Sequence, residues 1–160
     1  MNVTLAIDPG LDGALGWVGE QCGAERMPTL DSRPDLTRIR ARLVELNPSL
    51  VLIEKPEAMP RQGSQTYLKV GVNWGLIVGM MTEMGIPMSE VRAVTWKTRM
   101  GIALKGKEVT PKQRKERAIA EARKLFPGVE LKASSRCTTY HDGMAEALLL
   151  AEYGRRTVSN

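Results

Sequence analysis

Val3-Thr4-Leu5-Ala6-Ile7-Asp8-Pro9-Gly10 is the stretch from which the fold can be read. Residues 3–7 carry no charge and read as a buried strand, and Asp8-Pro9-Gly10 stops it. Asp12-Gly13 then turns the chain into a second strand, Ala14-Leu15-Gly16-Trp17-Val18, and a third is expected around residues 24–30. Together these form an antiparallel meander. Leu36, Ile39, Leu43 and Leu46 are spaced 3, 4 and 3, an amphipathic helix that ends before Pro48. Leu50-Val51-Leu52-Ile53 is again wholly apolar and is stopped by Glu54-Lys55-Pro56. A strand reached through such a helix returns by a right-handed crossover and lies parallel beside the first. The order is that of an α/β domain with a mixed sheet.

Further along, a long helix is expected from about Gln65 to Met84, with Gly71, Gly75 and Gly79 four apart on one stripe. Glycine costs roughly 1 kcal/mol in a helix interior, so three in line imply that another backbone comes close. Trp74, Leu76, Ile77, Met80, Met81 and Met84 make the helix apolar nearly all round, which implies burial on more than one side. A short strand is expected near Val91, and Thr95 is expected to cap a turn carrying Trp96 and Lys97. Residues 101–109 read as a loop. Thr110-Pro111-Lys112-Gln113 has a capping threonine, proline at the first helical position and glutamine three past the cap, a strong helix start. That helix turns Ala118, Ile119, Ala122, Leu125 and Phe126 inward and ends at Pro127-Gly128. A last helix runs from about Asp142 to Tyr153.

With 160 residues the chain suits one domain, residues 1–160. Lys plus Arg is 23 and Asp plus Glu is 18, a formal charge of +5. The excess is uneven: residues 92–136 hold thirteen basic and four acidic residues, and the remainder ten and fourteen. A basic segment beside a mildly acidic body suits a polyanion, most simply nucleic acid. Cys22 and Cys137 make no disulfide framework, and a reducing, cytoplasmic setting fits. No secretory segment is seen, and the longest apolar stretch, Val70 to Met81, falls well short of the ~20 residues a membrane helix needs.

Asp8 and Glu54 each end an apolar strand, and the crossover brings both to one sheet edge. Two acids there repel unless they share a cation. Asp142 and Glu146 are spaced i, i+4 and share a helix face. Gly143, Ala145 and Ala147 are small enough to let that helix lie close to the sheet. Four carboxylates from three elements suit two hard divalent cations, and two metals roughly 3.5–4 Å apart clamp the attacking and leaving oxygens of a phosphoryl displacement. His141, the single histidine, either caps the last helix or assists leaving-group protonation, with capping favoured; Asp12 reads as a turn residue.

Ile7-Asp8-Pro9-Gly10 with Gly13-Ala14-Leu15, Leu52-Ile53-Glu54, and His141-Asp142-Gly143 with Ala145-Glu146-Ala147-Leu148-Leu149 resemble the RuvC-type Holliday junction resolvases of the RNase H-like superfamily. The phage and plastid branch is the most similar, and the likeness spans about residues 3–154. It implies an RNase H-like mixed five-stranded sheet flanked by helices, a homodimer, and two Mg²⁺ ions per active site, with Mn²⁺ as a substitute. It also implies paired symmetric nicks in four-way branched DNA. By position, Asp8, Glu54, Asp142 and Glu146 are the implied metal ligands and catalytic residues. Bacterial members usually carry two aspartates three apart on the last helix; here Asp142 and Glu146 are four apart and position 143 is glycine.

Lys97, Arg99, Lys105, Lys107, Lys112 and Arg114 are the expected phosphate contacts, with Lys115 and Lys124 read as solubility residues. Residues 57–67 leave the Glu54 strand and return as the long helix, so Arg61, Gln62, Gln65 and Tyr67, followed by Lys69, are expected to reach DNA. Gln and Arg read base edges, and Tyr stacks on unpaired bases. A nuclease acting on RNA or an RNA–DNA hybrid, and a non-catalytic branched-DNA-binding protein, are the alternatives. An actin-like nucleotide-binding protein needs two such domains, for which 160 residues leave no room.

Overall fold

The computed structural model describes residues 2–57, 63–104, 106 and 108–158. Strands β1 (Thr4–Asp8), β2 (Ala14–Val18) and β3 (Gly23–Arg26) form the expected meander. Helix α1 (Leu36–Leu46) leads to β6 (Leu50–Glu54), which pairs with β1 in parallel. After α2 (Ser64–Glu83), β7 (Met88–Val91) adds to the far side of β6, so the sheet order is β3-β2-β1-β6-β7. This is a mixed five-stranded sheet, as anticipated.

The third strand is shorter than expected. It ends at Arg26, and Thr29–Leu30 (β4) instead pairs with Arg33–Pro34 (β5) in a separate two-stranded ribbon. Asp31 and Ser32 between them have φ of 49° and 60°. That left-handed pair makes a tight reversal, and a residue pair without glycine gives no sequence signal of it.

Side chains of the strands alternate between two cores. Leu5, Ile7, Leu15, Val51 and Ile53 face one way, onto Ile39 and Leu43 of α1 and Ile77 and Met81 of α2. Ala6, Ala14, Val18 and Leu52 face the other way, onto α5 (Asp142–Val158) and, beyond it, α3 (Ala93–Arg99) and α4 (Pro111–Leu125). α5 lies across β1 and β2 and is buried along most of its length. Its closeness depends on Gly16 in β2: a Cβ there would stand 2.4 Å from the Ala147 carbonyl carbon.

α4 begins with the expected capping box, the Thr110 side chain accepting from the Gln113 N–H and the Gln113 side chain from the Thr110 N–H. α3 differs from expectation. Arg92 is its N-cap, so Thr95 lies inside the helix and is not the cap. α5 runs five residues past Tyr153, to Val158. Both cysteines are free. Among the described residues no helix is long and apolar enough to cross a membrane.

α2 is the other departure. Leu68 is 66% exposed and Val72 47%, and a Cβ at Gly71, Gly75 or Gly79 would meet nothing within 4 Å. Among the described residues the helix is buried on one side only, and no backbone approaches its glycine stripe.

Candidate active site

Two-residue periodicity fixes where the first two carboxylates point. Asp8 lies two past Ala6, and Glu54 two past Leu52, both of which face α5. Ala6 pairs with Leu52 and Ile7 with Ile53, so the register carries Asp8 alongside Glu54 at the carboxyl ends of adjacent parallel strands. α5 begins over that edge and brings Asp142 in its first turn and Glu146 one turn later. Its start packs against the β1–β2 turn, where a Cβ at Gly143 would stand 2.7 Å from the Asp12 carbonyl oxygen. Asp12 is thus a turn residue, as read, and glycine at 143 follows from the close approach.

Asp8 feels both acids of α5, and Glu54 feels Asp8 and Glu146. Burial, above all, pushes the Asp8 carboxyl above its ordinary value; the Gly10 N–H, donating to its Oδ1 at 3.2 Å, pulls the other way, and Glu146 and Asp142 push it up again. Burial likewise raises Glu54 to about 7, with further upward pushes from Asp8 and Glu146, opposed by Lys97 and a Trp96 hydrogen bond. These are the marks of negative charge held out of water without enough compensation.

Two lysines supply part of the compensation. Lys97 Nζ donates to Glu146 Oε2 at 2.7 Å, and Lys115 Nζ stands 2.9 Å from Asp142 Oδ2. Lys97, expected on the phosphate surface, therefore reaches into the carboxylates, and Lys115, read as a solubility residue, belongs to the site. The spacing of α4 could have shown this: Lys115 lies one turn past Pro111, with Ala118 and Ala122 holding the helix against α5. Trp96 Nε1 donates to Glu54 Oε2 at 2.8 Å, a contact that sequence reasoning missed.

His141 is a cap. Its Nδ1 accepts from the Met144 N–H at 3.2 Å, and burial first, then the Arg26 charge, hold the imidazole below its ordinary value. A neutral ring with Nδ1 as acceptor suits that role.

The donor set fits a hard dication: oxygens only, two of them on half-buried carboxylates whose charge is under-compensated. Among the described residues no three acidic, His or Cys side chains yet stand close enough together to hold an ion. Ammonium groups occupy Glu146 and Asp142 instead.

The other expected DNA contacts fall in three places. Gln65, Tyr67 and Lys69 are exposed on the first turns of α2, and Lys112 and Arg114 on the first turn of α4. Arg99 is exposed at the end of α3, beside a groove lined by Tyr153, Arg156 and Thr157 of α5. Arg61, Gln62, Lys105 and Lys107 lie outside the described residues.

A Thermus thermophilus RuvC in complex with a Holliday junction substrate superposes on this chain with a TM-score of 0.60 at 21% identity, over 97% of this chain and 96% of its own. The fold is that of RuvC. A second Thermus thermophilus RuvC structure gives a TM-score of 0.55 at 23% identity, over 97% of this chain and 96% of its own. The yeast mitochondrial Holliday junction resolvase gives 0.55 at 14% identity, over 96% of this chain and 78% of its own. No protein-family model matches the sequence, and no curated protein sequence matches it. The likeness to RuvC is thus one of backbone course over nearly the whole chain, and the RuvC-like frame is what sets the carboxylates on one edge.

Proposed function

We propose that this chain is a Holliday junction resolvase, a metal-dependent endonuclease that makes paired symmetric nicks in four-way DNA junctions by phosphodiester hydrolysis. What supports this reading is a RuvC-like sheet with Asp8 and Glu54 at the ends of adjacent parallel strands and α5, bearing Asp142 and Glu146, starting over that edge. The whole chain acts as one nuclease domain in the cytoplasm. Asp8, Glu54, Asp142 and Glu146 hold two Mg²⁺ ions, with Mn²⁺ able to substitute. When bound, such ions polarise the scissile phosphate and make water a nucleophile at neutral pH.

The chain's own groups prepare the site. Lys97 and Lys115 reduce repulsion among the acids while no cation is present, and their ammonium groups are within reach of an incoming phosphate. Trp96 and the Gly10 N–H each hold one carboxylate oxygen. The basic surface of α3 and α4, with Arg99, Lys112 and Arg114, holds the phosphate backbone. Gln65 and Tyr67 stand exposed on the first turns of α2, the helix that follows the Glu54 strand in sequence, and would meet the unstacked centre of a junction.

Paired nicks need two active sites, and α2 supports a homodimer. Its glycine stripe is open, Leu68 and Val72 are exposed, and with Lys55, Pro56, Tyr67 and Trp74 they line an apolar groove of about 660 Å³. The buried Trp74 indole N–H beside it meets no acceptor among the described residues. A second copy of α2 would cover this face.

The deciding assay is cleavage of a synthetic four-way junction in Mg²⁺, with linear duplex and RNA–DNA hybrid as controls. Symmetric nicks in the junction alone support the reading, and preferential cleavage of the hybrid overturns it.

A further inference from the structure

Trp96 is fully buried, yet it sits on a seven-residue helix of which Val94, Thr95, Thr98 and Arg99 are exposed. A buried indole needs an acceptor for its N–H. Here the acceptor is not a backbone carbonyl but Glu54 Oε2, 2.8 Å away. The ring belongs to the buried cluster that holds Leu52 of β6, Ala118 and Ala122 of α4 and the inner face of α5, so packing restrains its two side-chain torsions. The donor is a fixed point. Glu54 has three torsions and is half-buried, so alone it has several places to go.

The next residue extends the pattern. Lys97 reaches Glu146 at 2.7 Å, so consecutive residues of α3 hold carboxylates from two different elements, β6 and α5. The start of the helix is tied down as well: the Arg92 guanidinium donates to Glu57, three residues beyond Glu54. α3 is therefore fastened on both sides of the strand end that carries Glu54.

We propose that Trp96 is a positioning residue for the metal site: its indole N–H holds Oε2 of Glu54 in one place, which would leave Oε1 to bind a cation. This rests on the nuclease reading for its purpose but not for its test. The contact is charge-assisted, and such hydrogen bonds are about twice as strong as neutral ones. Partners that orient a ligating carboxylate are typically worth 10–100-fold in metal affinity. Packing and donation are separable, because β-(3-benzothienyl)alanine has the shape of tryptophan with sulfur in place of the N–H.

The experiment places that analogue at position 96, with Trp96→Phe beside it, and measures Mn²⁺ binding by calorimetry on junction-free protein. Melting temperature and junction affinity in Ca²⁺ are followed in parallel. The expected result is a melting temperature within a few degrees of the parent, unchanged junction affinity, and Mn²⁺ affinity down about ten-fold or more. The Mn²⁺ concentration for half-maximal cleavage should rise by the same factor, with excess Mn²⁺ restoring much of the rate. Mn²⁺ affinity within two-fold of the parent overturns the proposal. Should the analogue misfold, a Trp17→Phe/Trp74→Phe chain leaves Trp96 as the sole tryptophan, which can be excited apart from the tyrosines. Its emission should then shift on Mg²⁺ addition, saturably, and a flat titration overturns the proposal. A parent that binds Mn²⁺ through Trp96-held Glu54 yet cuts no junction sinks the resolvase reading and leaves this one standing.

Discussion

Glu54→Gln should make the metal-free protein more stable at neutral pH while abolishing cleavage. Burial, helped by Asp8 and Glu146, raises the Glu54 carboxyl from 4.5 to about 7. A carboxyl raised on folding binds a proton more tightly in the folded than in the unfolded chain. Folding therefore loses stability as pH rises from about 4.5 through about 7, and the loss is complete above. At 1.36 kcal/mol per pH unit, the interval corresponds to about 3 kcal/mol, an upper bound for a group that is only part-buried. Glutamine keeps the shape, keeps an oxygen for the Trp96 N–H and carries no charge. Its gain at pH 8 should be on the order of 1–3 kcal/mol, or about 2–10 °C in melting temperature for a domain of this size. At pH 5, near the bottom of that interval, most of the gain should be gone. The assay is urea and thermal unfolding in EDTA at pH 5 and pH 8, repeated with Mg²⁺. Mg²⁺ should stabilise the parent by mass action and the variant much less. A Gln variant no more stable than the parent at pH 8 in EDTA would refute the claim that Glu54 is a carboxylate in want of a cation.

Asp8→Asn should likewise abolish cleavage and leave junction binding in Ca²⁺ intact, by gel shift. Lys97→Met removes the charge that opposes both raised carboxyls; the acid limb of the cleavage profile should move to higher pH, and the rate at pH 7 should fall at least about ten-fold. At Gly75 a Cβ would meet nothing within 4 Å among the described residues, so Gly75→Arg should leave the fold intact yet give a monomer by light scattering; a persistent dimer removes α2 from the interface. Gly16→Ala, whose methyl would stand 2.4 Å from the Ala147 backbone, should lose about 1–3 kcal/mol or more in urea unfolding.

The four acids were readable because each rests on short-range regularity. A two-residue period sets Asp8 with Ala6 and Glu54 with Leu52, crossover handedness sets the strands together, and i, i+4 spacing sets Asp142 with Glu146. The auxiliary groups were not readable, because they depend on where a whole helix docks. Trp96 and Lys97 look like an ordinary apolar–basic pair until α3 is placed across the end of β6, and Lys115 looks like any lysine in a basic run until α4 lies on α5. The glycine stripe of α2 was half legible: sequence shows that something must come close, but not that nothing among the described residues does.

α5 carries both Asp142 and Glu146 and most of the deeper core, from Met144 to Gly154. Two of the four carboxylates thus sit on the segment whose amide protons should exchange last, near the rate of global unfolding. α2, exposed along much of its length and held mainly by Ile77 and Met81, belongs at the fast-exchanging end. The chain is accordingly divided by cooperativity rather than by domain boundaries: α2 can open locally, while the acids on α5 stay in register with the sheet until the whole structure goes.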